Sequence, residues 1–145
     1  MKKMIVPVLI GLVGIPALAS DLVIAPPSAE SSGCDLSVPG FDSKEPFLKF
    51  FGQLKAAAAK KDKAALSGLI LYPMGVNGKG AKTIRTPADF SKNFDSLFTP
   101  KIQSVIEKQQ LDKLFCRDQG VMYGDGEIWV GVSKGKVGIK TLNSP

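Results

Sequence analysis

The stretch "GVMYGDGEIWV", Gly120 to Val130, sets two acids, Asp125 and Glu127, among glycines and flanks them with Tyr123 and Trp129. Its reading decides whether the C-terminal part of the chain is a plain antiparallel sheet or a sheet that carries a site. With Asp125-Gly126 as the two-residue loop of a type I′ hairpin, Gly124 pairs with Glu127 and Tyr123 faces Ile128. Val121, Tyr123, Ile128, Val130 and Val132 then share one face, and Met122, Glu127 and Trp129 share the other. Asp125 stands at a solvated tip. A three-residue Gly-Asp-Gly loop instead gathers Tyr123, Glu127 and Trp129 on one face, where a carboxylate desolvated against an indole acquires a pKa suited to acid-base work.

Outward from the hairpin, "KLFCRD", "EIWVGVS" and "KVGIKTL" are short β patterns separated by Gly-containing turns. Toward the N-terminus the period changes. "SKEPFLKFFGQLKAAAAKKD" places Phe47, Phe50, Phe51, Leu54 and Ala58 at helical spacing, with Ser43 as the expected cap. Asp62 starts a second short helix. Asn77-Gly78 bends an extended segment into a hairpin from about Tyr72 to Arg85. Thr86-Pro87-Ala88-Asp89 reads as a capped helix start carrying Phe90, Phe94, Leu97 and Phe98, and Thr99-Pro100 repeats the signal before Ile102, Val105 and Ile106. Helices first, a hairpin among them and a meander at the end define an α+β domain, with the helices on one face of a bent antiparallel sheet.

The opening residues "MKKMIVPVLIGLVGIPALAS" join a lysine pair to an apolar run and then to Ala17-Leu18-Ala19. That order predicts a signal peptide over 1–19, cleaved before Ser20, and a run too short to span a membrane. The expected location is the periplasm, with no membrane insertion after cleavage. Residues 20–42, rich in Pro, Ser, Ala and Gly, read as an extended arm, and 43–145 as one α+β domain. Cys34 and Cys116 are the only cysteines, and in an oxidising compartment they are expected to form one disulfide. The chain has no histidine, so zinc or copper at a Cys/His cluster is not expected, and no metal site or cofactor is assigned. The formal charge of +6 falls to +4 once Lys2 and Lys3 leave with the signal. Scattered lysines of this kind read as a solvated face, with attraction to an acidic protein or to the envelope as the alternative, and not as nucleic-acid binding.

The stretches "YPMGVNGKGAKTIRTPADFSKNFDSLFTP" and "DQGVMYGDGEIWV" resemble the strand-hairpin-helix and terminal-hairpin segments of small exported members of the nuclear transport factor two-like (cystatin-like) superfamily. The resemblance covers about Phe47 to Leu142 and implies a long helix and shorter helices held inside a strongly curved, cone-like antiparallel sheet. The superfamily includes enzymes and members without chemistry. Its dehydratase type relies on histidine, absent here, and the Asp, Tyr and protonated-acid set of its isomerase type finds no position-by-position match.

No residue is therefore assigned a catalytic role. The candidate binding or pocket residues are Tyr72, Arg85, Tyr123, Glu127 and Trp129. Three of them have a plainer reading: Tyr72 as a core-edge tyrosine, Arg85 as the ion-pair partner of Asp89, and Glu127 as a strand residue beside a turn. The expected function is that of a non-catalytic exported binding domain for another envelope protein, inhibitor- or immunity-like, or for a small ligand. A homodimer is a further possible partner, built on Trp129 and Met122. The alternative is a small lyase, isomerase or hydrolase that uses Glu127, Asp95 or Asp89 with Tyr72 or Tyr123. An enzyme requires an acid and a tyrosine in one closed pocket, and a hollow filled by Phe50, Phe51, Phe94 and Phe98 would weaken it.

Overall fold

The computed structural model of the protein describes Gly11 and residues 34–145. Apart from Gly11, the expected signal peptide lies outside the described residues, as does the arm up to 33.

Helix α1 (Glu45–Ala59) buries Phe47, Phe50, Leu54, Ala57 and Ala58, an apolar stripe at three- and four-residue spacing. Ser43 does not cap it. The flanking residue is Lys44, without a side-chain cap, and Pro46 sits in the first turn, where a missing N–H costs nothing. Helix α2 (Lys63–Ser67) starts at Asp62, whose carboxylate accepts the Ala65 N–H at 3.1 Å. The hairpin of β1 (Ile70–Asn77) and β2 (Lys82–Ile84) turns at Asn77-Gly78 as expected. Thr86 and Thr99 cap α3 (Pro87–Lys92) and α5 (Pro100–Lys108), accepting from Asp89 N and Ile102 N. The continuous helix expected from Phe90 to Phe98 is broken at Asn93, and α4 (Phe94–Leu97) follows the break. All four apolar residues of the stripe still reach the core.

A 3-10 turn (Leu111–Lys113) leads into the meander of β3 (Phe115–Arg117), β4 (Gly120–Tyr123), β5 (Ile128–Ser133) and β6 (Lys136–Asn143). The six strands lie in the order β2-β1-β6-β5-β4-β3. The expectation of a wholly antiparallel sheet needs correction: β6 runs parallel to β1, so the sheet is mixed. Pairing β1 with the last strand is a long-range choice that no local pattern encodes.

The inner face carries Ile70, Met74 and Ile84, then Val121, Tyr123, Ile128 and Val130, with Ile139 and Leu142 from β6, all buried. Helices α1 and α5 pack together over this layer. Each fully buried Leu, Ile or Phe contributes about 2 kcal/mol relative to exposure, so this layer sets the strand register. Phe90, Phe94 and Phe98 form one aromatic group with centroids 5.6–5.8 Å apart. Residues 35–40 form turns, and Leu36 and Phe41 are buried in the same core. The described end of the arm is thus folded onto the domain, held by the disulfide between Cys34 and Cys116, whose Cα atoms are 4.9 Å apart.

Candidate functional site

The β4–β5 hairpin pairs Val121 with Val130, Met122 with Trp129 and Tyr123 with Ile128. Register and inner face are those the alternation predicts, and the turn differs. Positive φ falls on Gly124 (60°) and Gly126 (105°), not on Asp125, and the Gly126 N–H donates to the Tyr123 carbonyl at 3.2 Å. A type I′ turn would require positive φ at both Asp125 and Gly126. The loop therefore has its left-handed residue one position earlier, on a glycine that adopts it without penalty.

This shift redirects Glu127. Its Oε2 accepts the Asp125 N–H at 2.7 Å, folding the carboxylate over its own loop toward Gly124 and the side of α5. It does not lie beside Trp129 on the outer face, as the two-residue loop implied. Asp125 is exposed at the tip. Gln109, at the end of α5 and 7 % exposed, accepts the Gly124 N–H at 2.7 Å and donates to the Gln110 carbonyl at 2.9 Å. It ties the helix end to the hairpin. Sequence reasoning missed this residue, whose single signal is a glutamine directly after the last apolar turn of α5. Between them runs an open cleft of about 340 Å³, lined by Ser104, Lys108, Lys113, Asp125 and Glu127 among others.

Tyr123 goes the other way. Its side chain is completely buried, with its ring centroid 5.9 Å from that of Phe51. Its hydroxyl has no hydrogen-bond partner among the described residues. Burial without a partner disfavours the phenolate and pushes its pKa up. Lys55 covers the other ring of the pair, its Nζ 5.0 Å from the Phe51 centroid.

The remaining candidates are dispersed. The Tyr72 hydroxyl lies 2.8 Å from Ser67 Oγ and donates to the Ser67 carbonyl at 3.1 Å. Burial raises its pKa, and the Ser67 hydroxyl contact opposes this in part. It is a core-edge tyrosine tied to the end of α2. Arg85 is exposed and meets Asp89 through its backbone N–H, which donates to Oδ2 at 3.2 Å, so the contact formed is a cap and not the expected guanidinium pair. Asp95 is exposed on α4. The structure brings none of these acids to the Tyr123 phenol. Phe50, Phe94 and Phe98 are buried in the interior, with Phe51 packed partly buried against them. The hollow under the disulfide, lined by Cys34, Leu36, Phe47 and Leu114, measures about 10 Å³, room for about one water. Among the described residues no group of three His, Cys, Asp or Glu side chains is arranged to hold a metal ion.

The outer face presents a different feature. Successive cross-strand pairs align Phe115, Met122, Trp129, Thr141, Gly75 and Thr83 in one row across all six strands. Phe115 is 50 % exposed, and Met122 and Trp129 are half-buried. Trp129 is the only tryptophan of the chain. Of the sequence-predicted candidates, Trp129 alone lies on this open face. Comparison with protein-family models, curated proteins and solved structures returns no match to this chain.

Proposed function

We propose that the chain is an exported, non-catalytic binding domain that recognises another envelope protein, as an inhibitor or immunity protein does. Its fold is read as a member of the nuclear transport factor two-like superfamily with a curved, cone-like sheet. The order of helices, hairpin and meander supports that reading. Export is supported by the charged-apolar-small order of residues 1–19 and by a disulfide that suits an oxidising compartment.

One observation carries the binding reading. The aromatic and sulfur side chains Phe115, Met122 and Trp129 line up on the solvent side of the sheet, while the phenol and the carboxylates of an acid-base set are kept apart. Aromatic residues and Met at an exposed, rigid surface are typical interface anchors. A small ligand in the cleft beside Gln109 and Glu127 is the lesser form of the same reading, supported by the polar lining there.

Affinity capture from a periplasmic extract with the exported protein as bait tests this. The expected result is one envelope protein retained by the wild type and at least tenfold less by Trp129→Ala. Equal recovery by both variants would remove the sheet face as the anchor, and turnover of a small carbonyl substrate abolished by Glu127→Gln would replace binding by catalysis.

A further inference from the structure

We propose that the outer sheet face takes an acidic protein surface, whose carboxylates seat on Arg117 and Lys140 beside the Phe115, Met122 and Trp129 row. This rests on the binding reading above and names the chemistry of its partner.

Lys140 owes its position to a bulge. Consecutive Trp129 and Val130 pair with Thr141 and Ile139, which leaves Lys140 as the extra residue of β6. With Ile139 buried inward, Lys140 turns outward, and its methylene stem lies over Gly131 and Gly120. A Cβ at Gly131 would stand 2.9 Å from Lys140 Cδ, so the missing side chain is what gives the stem its bed. Arg117 leaves the same face of β3 as Phe115, two residues on, opposite Gly120. The two cations therefore border the same patch of Gly120.

The charged groups of this patch are both cations, and its indole adds a further donor. Arg117, Lys140 and the Trp129 indole N–H form no hydrogen bond or ion pair among the described residues. Glu127, the acid expected on this face, is folded toward α5, and Asp118 and Asp125 lie in the turns at the two ends of the hairpin. An arginine fork accepts a carboxylate through two parallel hydrogen bonds, and a lysine whose stem is already laid down loses less rotamer freedom on pairing. A second copy of the chain would bring the same cations against these and repel. A lipid surface favours protruding side chains, whereas Trp129 and Met122 lie half-buried in the sheet and Phe115 alone stands out.

Zero-length carbodiimide coupling, which joins a lysine amine to a carboxylate in direct contact, tests the proposal in the periplasmic extract. Mass mapping is expected to find Lys140 Nζ linked to an Asp or Glu of the captured partner. Yield should fall at least tenfold in Arg117→Glu and in Trp129→Ala, with thermal melting unchanged, and hold in Lys49→Glu on the exposed side of α1. A partner captured but linked only through other lysines overturns this inference and leaves the binding reading standing. Capture of nothing overturns both. Links from Lys140 to a second copy, or Trp129-dependent sedimentation with phosphatidylglycerol vesicles, would replace the acidic protein by a dimer or a membrane.

Discussion

Tyr123 and Glu127 leave one hairpin in different directions: the phenol is enclosed against Phe51, with ring centroids 5.9 Å apart, and the carboxylate turns back to accept the Asp125 N–H at 2.7 Å. A general acid or base must reach the proton it moves, at roughly 3 Å or through one water. The hairpin instead commits its aromatic hydroxyl to packing and its acid to holding the loop.

The enclosed phenol makes stability pH-dependent. Its folded pKa is raised above the ordinary value of 10.0, so above that pH the unfolded chain gives up a proton that the folded chain keeps. Folding stability is then full below pH 10.0 and falls as pH rises, by about 1.4 kcal/mol per pH unit for one such proton. Chemical denaturation at pH 9 and pH 11 is expected to show this loss in the wild type and much less of it in Tyr123→Phe. At neutral pH the same variant, which removes a buried hydroxyl without a partner, should be more stable by about 1 kcal/mol. A destabilised Tyr123→Phe would mean that the hydroxyl has a partner after all.

Gly120 is required by backbone and space together. Its φ is 141°, and a Cβ there would collide with the carbonyl oxygen of Val130 on the neighbouring strand. Gly120→Ala is expected to cost at least about 2 kcal/mol, read as a lowered denaturation midpoint at unchanged slope. Gly138→Ala should act through a different contact, since its Cβ would lie 2.9 Å from the Leu69 carbonyl oxygen and push β1 from β6.

The bridge between Cys34 and Cys116 joins residues 82 apart. Chain-entropy reasoning gives about 4.5 kcal/mol for a loop of that length. Reduction, or the double change Cys34→Ser with Cys116→Ser, should lower the melting temperature markedly and free the segment that carries Leu36 and Phe41. Proteolysis near 36–42 in the reduced protein alone is the expected signature.

Gln109→Leu leaves the Gly124 N–H without its acceptor and should destabilise by about 1–3 kcal/mol. Faster amide exchange at Gly124 and its neighbours, with the β5–β6 amides unchanged, would show that the loss is local.

Much of this arrangement is legible from local pattern. The alternation through Val121, Tyr123, Ile128 and Val130 suffices to place Tyr123 opposite Ile128, because a slip of one residue would turn the whole buried set to water. Thr86, Thr99 and Asp62 announce their helices by capping chemistry. What escaped was set by tertiary contact. The parallel pairing of β6 with β1 joins residues 66 to 69 apart, and the Lys140 bulge lies in that same strand, where it pairs with β5. The direction of Glu127 goes with a loop whose positive φ falls on Gly124 and Gly126, where Gln109 from α5 accepts the Gly124 N–H. Asn93 breaks a helix whose apolar spacing alone reads as continuous.

The proposed binding function lies on the outer sheet face and not in the interior or the cleft. Hydroxyl-radical footprinting of the protein with and without its captured partner tests this directly. The expected result is reduced oxidation at Phe115, Met122 and Trp129 in the complex, with Tyr72 unchanged. Unaltered oxidation of that row, with protection appearing instead at Val105, Lys108 and Lys113 along the cleft, would contradict it.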